Sequence, residues 1–280
     1  GAEVAPDQAQ AVAGAAVVFA VRPPRVAALP RGSLLVCIMG AHADPALIPA
    51  LREAGVDGVA MELLPRITRA QSMDVLSSQA NLAGYRAVIE AAGAFDRGFP
   101  MMMTAAGTVP PARVFVIGAG VAGLQAIATA RRLGAIVSAT DVRPAAKEEI
   151  RSLGGTYVGV DDEESAAQTG AYAREMSEAF RAKQAELMAT TVARNDIVIC
   201  TALVMGRRAP VIVTEAMVAA MRAGSVIVDI ASDAGGNCAA TVPGQVAVTA
   251  NGVKVLGYTN WPGRIAGAAD MPGRLSQRAG

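Results

Sequence analysis

The run Gly118-Ala119-Gly120-Val121-Ala122-Gly123 constrains this chain more than any other feature. It directly follows the apolar stretch Arg113-Val114-Phe115-Val116-Ile117 and opens a stretch of helical pattern, Val121–Gly134. A strand that must turn straight into a helix needs a first glycine for the tight turn. A second lets a pyrophosphate approach the backbone, and a third lets helix and strand pack closely. The start of the helix then offers free N–H groups and the positive end of its dipole to phosphates. Asp141 ends the next strand, 18 residues after Gly123. A carboxylate there accepts hydrogen bonds from adenosine ribose hydroxyls and repels a 2′-phosphate, which favours NAD over NADP. The competing reading is a glycine-rich turn with no ligand. Arg143 is close enough to blur the preference, although it reads first as a solvated arginine ahead of Pro144.

Around this turn, short β-rich apolar runs alternate with helical stretches, the pattern of βαβ units and parallel sheets. In the first part the expected strands are Val17–Val21, Leu34–Met39 and Gly58–Met61, with a helix over Asp44–Gly55 capped by Asp44. A long helix is expected from about Ser72 to Phe95. The breaker-rich segment Phe99–Pro111 reads as the crossover between two domains. The alternation then restarts, with strands Arg113–Gly118, Ile136–Asp141, Thr156–Val160, Ile197–Leu203 and Ser225–Ala231. Helices are expected over Ala145–Gly154, Glu175–Asn195 and Thr214–Ala223. Val246–Thr249 and Val253–Tyr258 flank Asn251-Gly252, a hairpin signal. The expected fold is α/β, with two Rossmann-like three-layer domains of parallel sheet. Residues 1–108 would form the first domain and 109–262 the second, with 263–280 returning toward the first.

Composition excludes several classes of function. The 25 Lys and Arg nearly cancel the 24 Asp and Glu, and no basic run makes a case for nucleic acid. With 52% apolar residues a membrane span is worth testing. No apolar run approaches the ~18–20 residues required. The longest candidate, Ala11–Val21, reads as a buried strand with its approach. Cys37, Cys200 and Cys238 form no CxxC pair, which suits a reducing compartment, and no signal peptide opens the chain. The single histidine, His42, excludes a multi-histidine metal site and reads first as a structural residue in a helix-cap loop. No metal site is expected.

Two further clusters stand out. Between Pro65 and Tyr85 polar side chains are dense, and Asp74, Ser77, Ser78 and Asn81 share one helical face by i+3 and i+4 spacing. This reads equally as a functional surface or as a capped helix start with a solvated face. Ala231–Cys238 is a glycine loop at the end of a strand, where open α/β sheets bind ligands; an ordinary surface loop is the equal alternative. Tyr172 and Gln184 are unremarkable by pattern. Lys147, Lys183 and Lys254 all fall where exposed helix or hairpin is expected, so no general base is evident.

Taken together, these residues resemble the NAD(H)-binding component (domain I, or alpha subunit) of the proton-translocating NAD(P) transhydrogenases. The resemblance covers nearly the whole chain to about Asp270. It rests on Arg66–Tyr85, on Phe99–Pro111 with the glycine turn to Thr129, and on Thr140–Arg143. Tyr172–Met176, Lys183–Glu186, Thr201–Leu203 and Gly235–Cys238 carry it further. It implies NAD(H) in a cleft between the two domains, a homodimer, and NADP(H) on a separate component. It also implies a proton-conducting membrane domain that holds this chain peripherally on the cytoplasmic side.

By the same resemblance Arg66, Gln71, Asp74 and Ser77 hold the nicotinamide end, with Gln71 reaching the partner's nicotinamide ribose. Gly118, Gly120, Val121, Ala122 and Gly123 match the pyrophosphate turn. Asp141, with Val142 and Arg143 beside it, matches the adenosine ribose site. Tyr172 matches a loop that closes over the site, and Gln184, Thr201, Ala202 and Leu203 match further cofactor contacts. Gly170-Ala171-Tyr172 departs from the family's usual two glycines before the tyrosine. The family's first strand and helix would precede Gly1, and its final helix would lie beyond Gly280. Alanine dehydrogenases are a sister family, and their catalytic His and Lys positions are here held by Met39 and Arg22. A soluble amino-acid dehydrogenase and a non-catalytic NAD-binding module are the remaining alternatives. Direct hydride transfer between two nicotinamides abstracts no substrate proton and needs no general base.

Overall fold

The computed structural model describes residues 2–42, 44–65, 67–160, 178–203 and 207–265. The chain divides into two compact units, one holding residues 1–78 and the other principally residues 79–270.

The first unit is built on a three-stranded, wholly parallel sheet: β1 (Val17–Phe19), β2 (Leu34–Cys37) and β3 (Asp57–Ala60), in that order. A short helix, α1 (Gln8–Val12), precedes it, with the Asp7 carboxylate accepting from the Gln10 N–H. The stretch Ala11–Val21 is therefore not one buried strand. Its first residues finish α1, and β1 buries only Val18 while Phe19 is 70% exposed. Helix α2 (Leu47–Ala54) begins later than Asp44. The Asp44 side chain accepts from the Ala46 N–H and its carbonyl from Leu47, so it shapes the turn ahead of the helix. Leu35, Cys37, Leu47, Leu51 and Val56 form the core. Past β2, the Glu62 carboxylate accepts from the N–H groups of Met39 and Gly40.

A six-residue 3-10 turn, Thr68–Met73, leads into the long helix α3 (Val75–Ala94). The second unit follows, starting with a two-stranded antiparallel arm, β4 (Met102–Thr104) and β5 (Gly107–Val109). This arm lies within the breaker-rich segment, where strands of three residues are too short to show alternation. Three consecutive methionines, Met101 to Met103, are exposed along it.

The main sheet comprises β6 (Arg113–Ile117), β7 (Ile136–Thr140), β8 (Thr156–Tyr157), β9 (Ile197–Cys200), β10 (Val226–Asp229), β11 (Val246–Val248) and β12 (Lys254–Leu256). The spatial order is β11-β12-β10-β9-β6-β7-β8, all parallel except the edge strand β11. Counting only the parallel strands along the chain, this is the doubly wound order 3-2-1-4-5-6. The winding reverses between β6 and β9.

Both faces of the central strands are buried. Val114 and Val116 join one apolar cluster and Phe115 and Ile117 the other; Ile197 and Ile199 likewise oppose Val198 and Cys200. Successive strand residues point to opposite faces, so the sheet is the middle of three layers, as parallel sheets require. One cover is formed by α3, α4 (Val121–Arg132) and α5 (Ala146–Ser152), which contribute Ala87, Ala126 and Ile150 among others. The other is formed by α6 (Glu178–Arg194) and α7 (Glu215–Ala219), which contribute Val192, Met217 and Val218. In the small turn between β11 and β12, the Asn251 amide donates to the carbonyls of Val218, Ala219 and Met221 and closes the end of α7. Lys254 is no exposed hairpin lysine. Its ammonium donates to the Ala94 carbonyl and the Asp96 carboxylate, fixing the end of α3. Among the described residues no helix is long and apolar enough to cross a membrane.

All three cysteines are buried thiols. Burial, helped by the Glu62 carboxylate, pushes Cys37 up to about 11. Burial, with Asp229 nearby, also raises Cys200 and Cys238. A thiol raised on folding stabilises the fold fully below its unfolded pKa. That contribution is lost as pH rises toward the folded value, here between about 9 and about 11 for Cys37. At pH 8 the native protein should therefore react negligibly with a disulfide reagent, while the denatured chain releases all three thiols. Prompt reaction of even one thiol in the native state would contradict this burial.

Candidate functional site

The glycine turn sits at the carboxyl end of β6, where the winding of the sheet reverses, the place at which doubly wound folds hold ligands. Gly118 has φ +95°, which an L side chain rarely adopts. A Cβ on Gly123 would overlap the Gly118 carbonyl oxygen, so α4 can start this close to β6 only with glycine there. From α3, Gly84 presses against the backbone of Ala122 with no room for a side chain. The turn is thus shaped from both sides by backbone-to-backbone approach. Outward it is open: Gly120 is exposed, a Cβ there would meet nothing within 4 Å, and no side chain caps the start of α4. The first N–H groups of a helix have no partner within it. Together with the positive dipole end, they make an anion cradle.

Asp141 follows β7 and ties itself to this turn. One carboxylate oxygen accepts from the Ala119 N–H at 2.6 Å, and the other from the Arg143 N–H at 2.8 Å and its Nε at 3.1 Å. Arg143 is not simply solvated. Its Nη2 donates to the Ala119 carbonyl at 2.8 Å and to Glu149 on α5 at 3.1 Å. Burial alone would lower the guanidinium's pKa, yet the carboxylates of Asp141 and Glu149 hold it above its ordinary value. Val142 is 82% exposed.

Thr201, just past β9, closes the other side. Its hydroxyl donates toward the carbonyls of Ile117 and Gly118, at 3.1 and 3.0 Å. Ala202 is held by a side chain to which the sequence pattern assigned no role. The Asn237 amide oxygen accepts from the Ala202 N–H at 3.0 Å, and its nitrogen donates to the carbonyls of Ala202 and Pro210. Asn237 is in turn held by Asp229, the fully buried last residue of β10. The Asp229 carboxylate accepts from the N–H groups of Ala231, Asn237 and Cys238 and from the Thr241 hydroxyl. The glycine loop Ala231–Cys238 is therefore the outer part of a buried polar hub that sets the backbone of Ala202. A carboxylate closing an all-apolar strand, with Gly-Gly-Asn close behind it in the chain, was the available signal. A buried charge needs several donors, and a loop is the nearest source.

The structure thus brings Gly118, Gly120, Val121, Ala122, Gly123, Asp141, Arg143, Thr201 and Ala202 together. Leu203 follows them, exposed. Gln184 lies half-buried on α6. Gln71 is exposed in the turn before α3. Asp74 caps that helix, accepting from the Ser77 N–H at 2.9 Å and from its hydroxyl at 2.6 Å. So the capped helix start foreseen in the polar cluster is formed, with the proposed site residues themselves as the cap. Arg66 and Tyr172 lie outside the described residues. His42 is exposed in the turn after β2.

Residues 1–83 match the N-terminal domain of the alanine dehydrogenase/PNT family and residues 87–273 match its C-terminal domain. The chain therefore belongs to this family. Within it, the chain is 54% identical over 279 residues to the first of the polypeptides that make up NAD(P) transhydrogenase subunit alpha in Rhodospirillum rubrum. That match covers 96% of this chain and 72% of that polypeptide. Identity to the NAD(P) transhydrogenase subunit alpha of Cereibacter sphaeroides is 50%, over 96% of this chain and 52% of that one. The crystal structure of transhydrogenase from Sinorhizobium meliloti matches with a TM-score of 0.85 and 50% identity, covering 95% of this chain and 73% of that one. Alanine dehydrogenase of Bacillus subtilis is more distant, at 27% identity. The chain thus stands on the transhydrogenase side of the family and spans only a portion of the subunits it matches.

Removing the Asn237 amide leaves the buried Ala202 N–H and Pro210 carbonyl without partners. Asn237→Ala should cost about 2 kcal/mol of stability, read by urea denaturation. Asn237→Asp should cost more, because it sets a carboxylate against the two carbonyls. An unchanged midpoint in both would remove Asn237 as the hub.

Proposed function

We propose that this chain binds NAD(H) and exchanges hydride with NADP(H) held on a separate component of a proton-translocating transhydrogenase. The observation that carries the reading is the open glycine turn at the reversal of the winding, with Asp141 tied to it. The residues present fit a dinucleotide. The N–H groups at the start of α4 would take the pyrophosphate. Asp141 would accept from the adenosine ribose hydroxyls, which compete with Arg143 for the same carboxylate oxygen. Thr201 and Ala202, set by Asn237, would line the route from the turn toward the nicotinamide, with Leu203, Val142 and Gln184 beside it. NAD(H) supplies the hydride chemistry. The chain's own task is to orient the nicotinamide and exclude water.

Arg66, Gln71, Asp74 and Ser77 are assigned to the nicotinamide end. The 2.6 Å bond between Ser77 and Asp74 supports this, since it fixes both side chains at the head of one helix. Tyr172 is assigned to a closing loop. Hydride transfer requires the two C4 atoms at roughly 3–3.5 Å in a site closed to water. No proton is abstracted, so the exposed position of His42 is no obstacle, and an alanine-dehydrogenase reading has no acid/base pair to rest on. Self-association as a homodimer is supported by the methionine-rich arm, an apolar strip of the kind that marks protein contacts. Attachment to the cytoplasmic side of a membrane would come through the NADP-binding and proton-conducting components.

Mixed with the NADP-binding component of such a transhydrogenase and NADH, the protein should reduce an NADP analogue. Tight NADH binding without turnover would leave a nucleotide-binding module only. In fluorescence titration NADH should bind in preference to NADPH, and Asp141→Asn should narrow that preference by roughly tenfold, about 1.4 kcal/mol. Asp74→Asn keeps a side chain that caps helices equally well. It should lower the hydride-transfer rate by ~100-fold while changing NADH affinity by under ~3-fold; Arg66→Ala should do the same. A loss confined to affinity would refute those assignments.

A further inference from the structure

Arg143 does more than contact Asp141. Its Nη2 also reaches across to Glu149 in the first turn of α5, so the guanidinium is held by two carboxylates and the Ala119 carbonyl. The formal charges at this corner of the turn are −1, +1 and −1. Asp141 alone would leave the corner neutral, and Glu149 makes it negative.

An arginine two residues past the ribose carboxylate is well placed to serve the opposite specificity. A guanidinium grips phosphate through two parallel N–H bonds, and an arginine near this position is how dinucleotide folds accommodate a 2′-phosphate. In this chain the donor fork is already filled. A 2′-phosphate carrying about −1.5 to −2 charges would have to displace carboxylates from the guanidinium and then sit beside them. A ribose 2′-hydroxyl faces neither cost, because it is neutral and can donate to Asp141.

We propose that Glu149 is a specificity-determining residue of this site: by holding and neutralising Arg143, it keeps the arginine from acting as a 2′-phosphate clamp, so that the site takes NAD(H) and rejects NADP(H). This rests on the NAD(H) reading above and adds a residue to it. Glu149 touches no cofactor and acts through Arg143. Both side chains are partly solvated, with relative exposures of 49% for Arg143 and 41% for Glu149. The effect is therefore a moderate bias, strongest at low salt.

The test is the ratio of NADPH to NADH dissociation constants, measured by nucleotide fluorescence at low ionic strength. Glu149→Gln keeps a hydrogen-bonding side chain and removes the charge. It should narrow the ratio by about three- to five-fold, mostly through tighter NADPH binding, and the gain should shrink as salt is added. Glu148→Gln removes a charge from the same first turn of α5 and controls for a helix-dipole effect; its ratio should stay put. Arg143→Ala should abolish the gain, so the double variant Arg143→Ala/Glu149→Gln should match Arg143→Ala alone. If the wild type binds NADH and Glu149→Gln leaves the ratio unmoved, or if Glu148→Gln moves it equally, the role of Glu149 is overturned while the NAD(H) site stands. Failure of the wild type to bind NADH would overturn both together.

Discussion

Everything at the centre of the second unit depends on how closely two backbones can approach at the end of β6. With Gly123 bare, α4 starts directly against the Gly118 carbonyl. With Gly84 bare, α3 lies against Ala122. Side chains at either place would lift a helix from the sheet and close the open ground in front of Gly120. The site is thus a consequence of packing before it is a matter of chemistry. The anion cradle exists because two helices are drawn in until only main chain separates them. What remains exposed at the turn is the set of N–H groups that a helix start cannot satisfy internally.

A second level of order is imposed by buried polarity. Asp229 terminates a strand whose other residues are Val226, Ile227 and Val228, and it is wholly out of contact with solvent. A carboxylate in that position is costly unless it is fully bonded. Here the demand is met by the loop that follows, through three N–H groups and a hydroxyl. Because the loop must return to Asp229, Asn237 is delivered to a fixed point, and through it Ala202 is fixed as well. The same logic operates more weakly at Asp196, which accepts from the Arg113 N–H and from Arg97 at the opposite end of the sheet.

What could be read from the sequence follows from which constraints are local. The glycine turn, its strand and its helix were legible because a tight turn and a close approach each demand glycine at a particular position. The strands β6, β7, β9 and β10 were legible as unbroken apolar runs, since both their faces are covered. The arm of β4 and β5 was not, because three-residue strands carry no period. Nor was the hub at Asp229, whose partners Asn237 and Thr241 lie well along the chain. Arg143 read as a solvated side chain for a similar reason. Its pairing with Glu149 exists only because α5 folds back beside the turn. The polar cluster at Asp74 was ambiguous in principle, since one side chain can cap a helix and serve a ligand at once.

The edges of the seven-stranded sheet have a consequence for how such an apolar chain survives in water. One edge strand, β8, is two residues long, and the other, β11, has three and runs against the rest. Neither presents a long flat row of unpaired amides and carbonyls, the template through which sheets recruit one another into aggregates. The five strands between them are locked into pairs on both sides. A protein whose residues are 52% apolar can therefore keep its stickiest strands inside and offer neighbouring molecules only stubs.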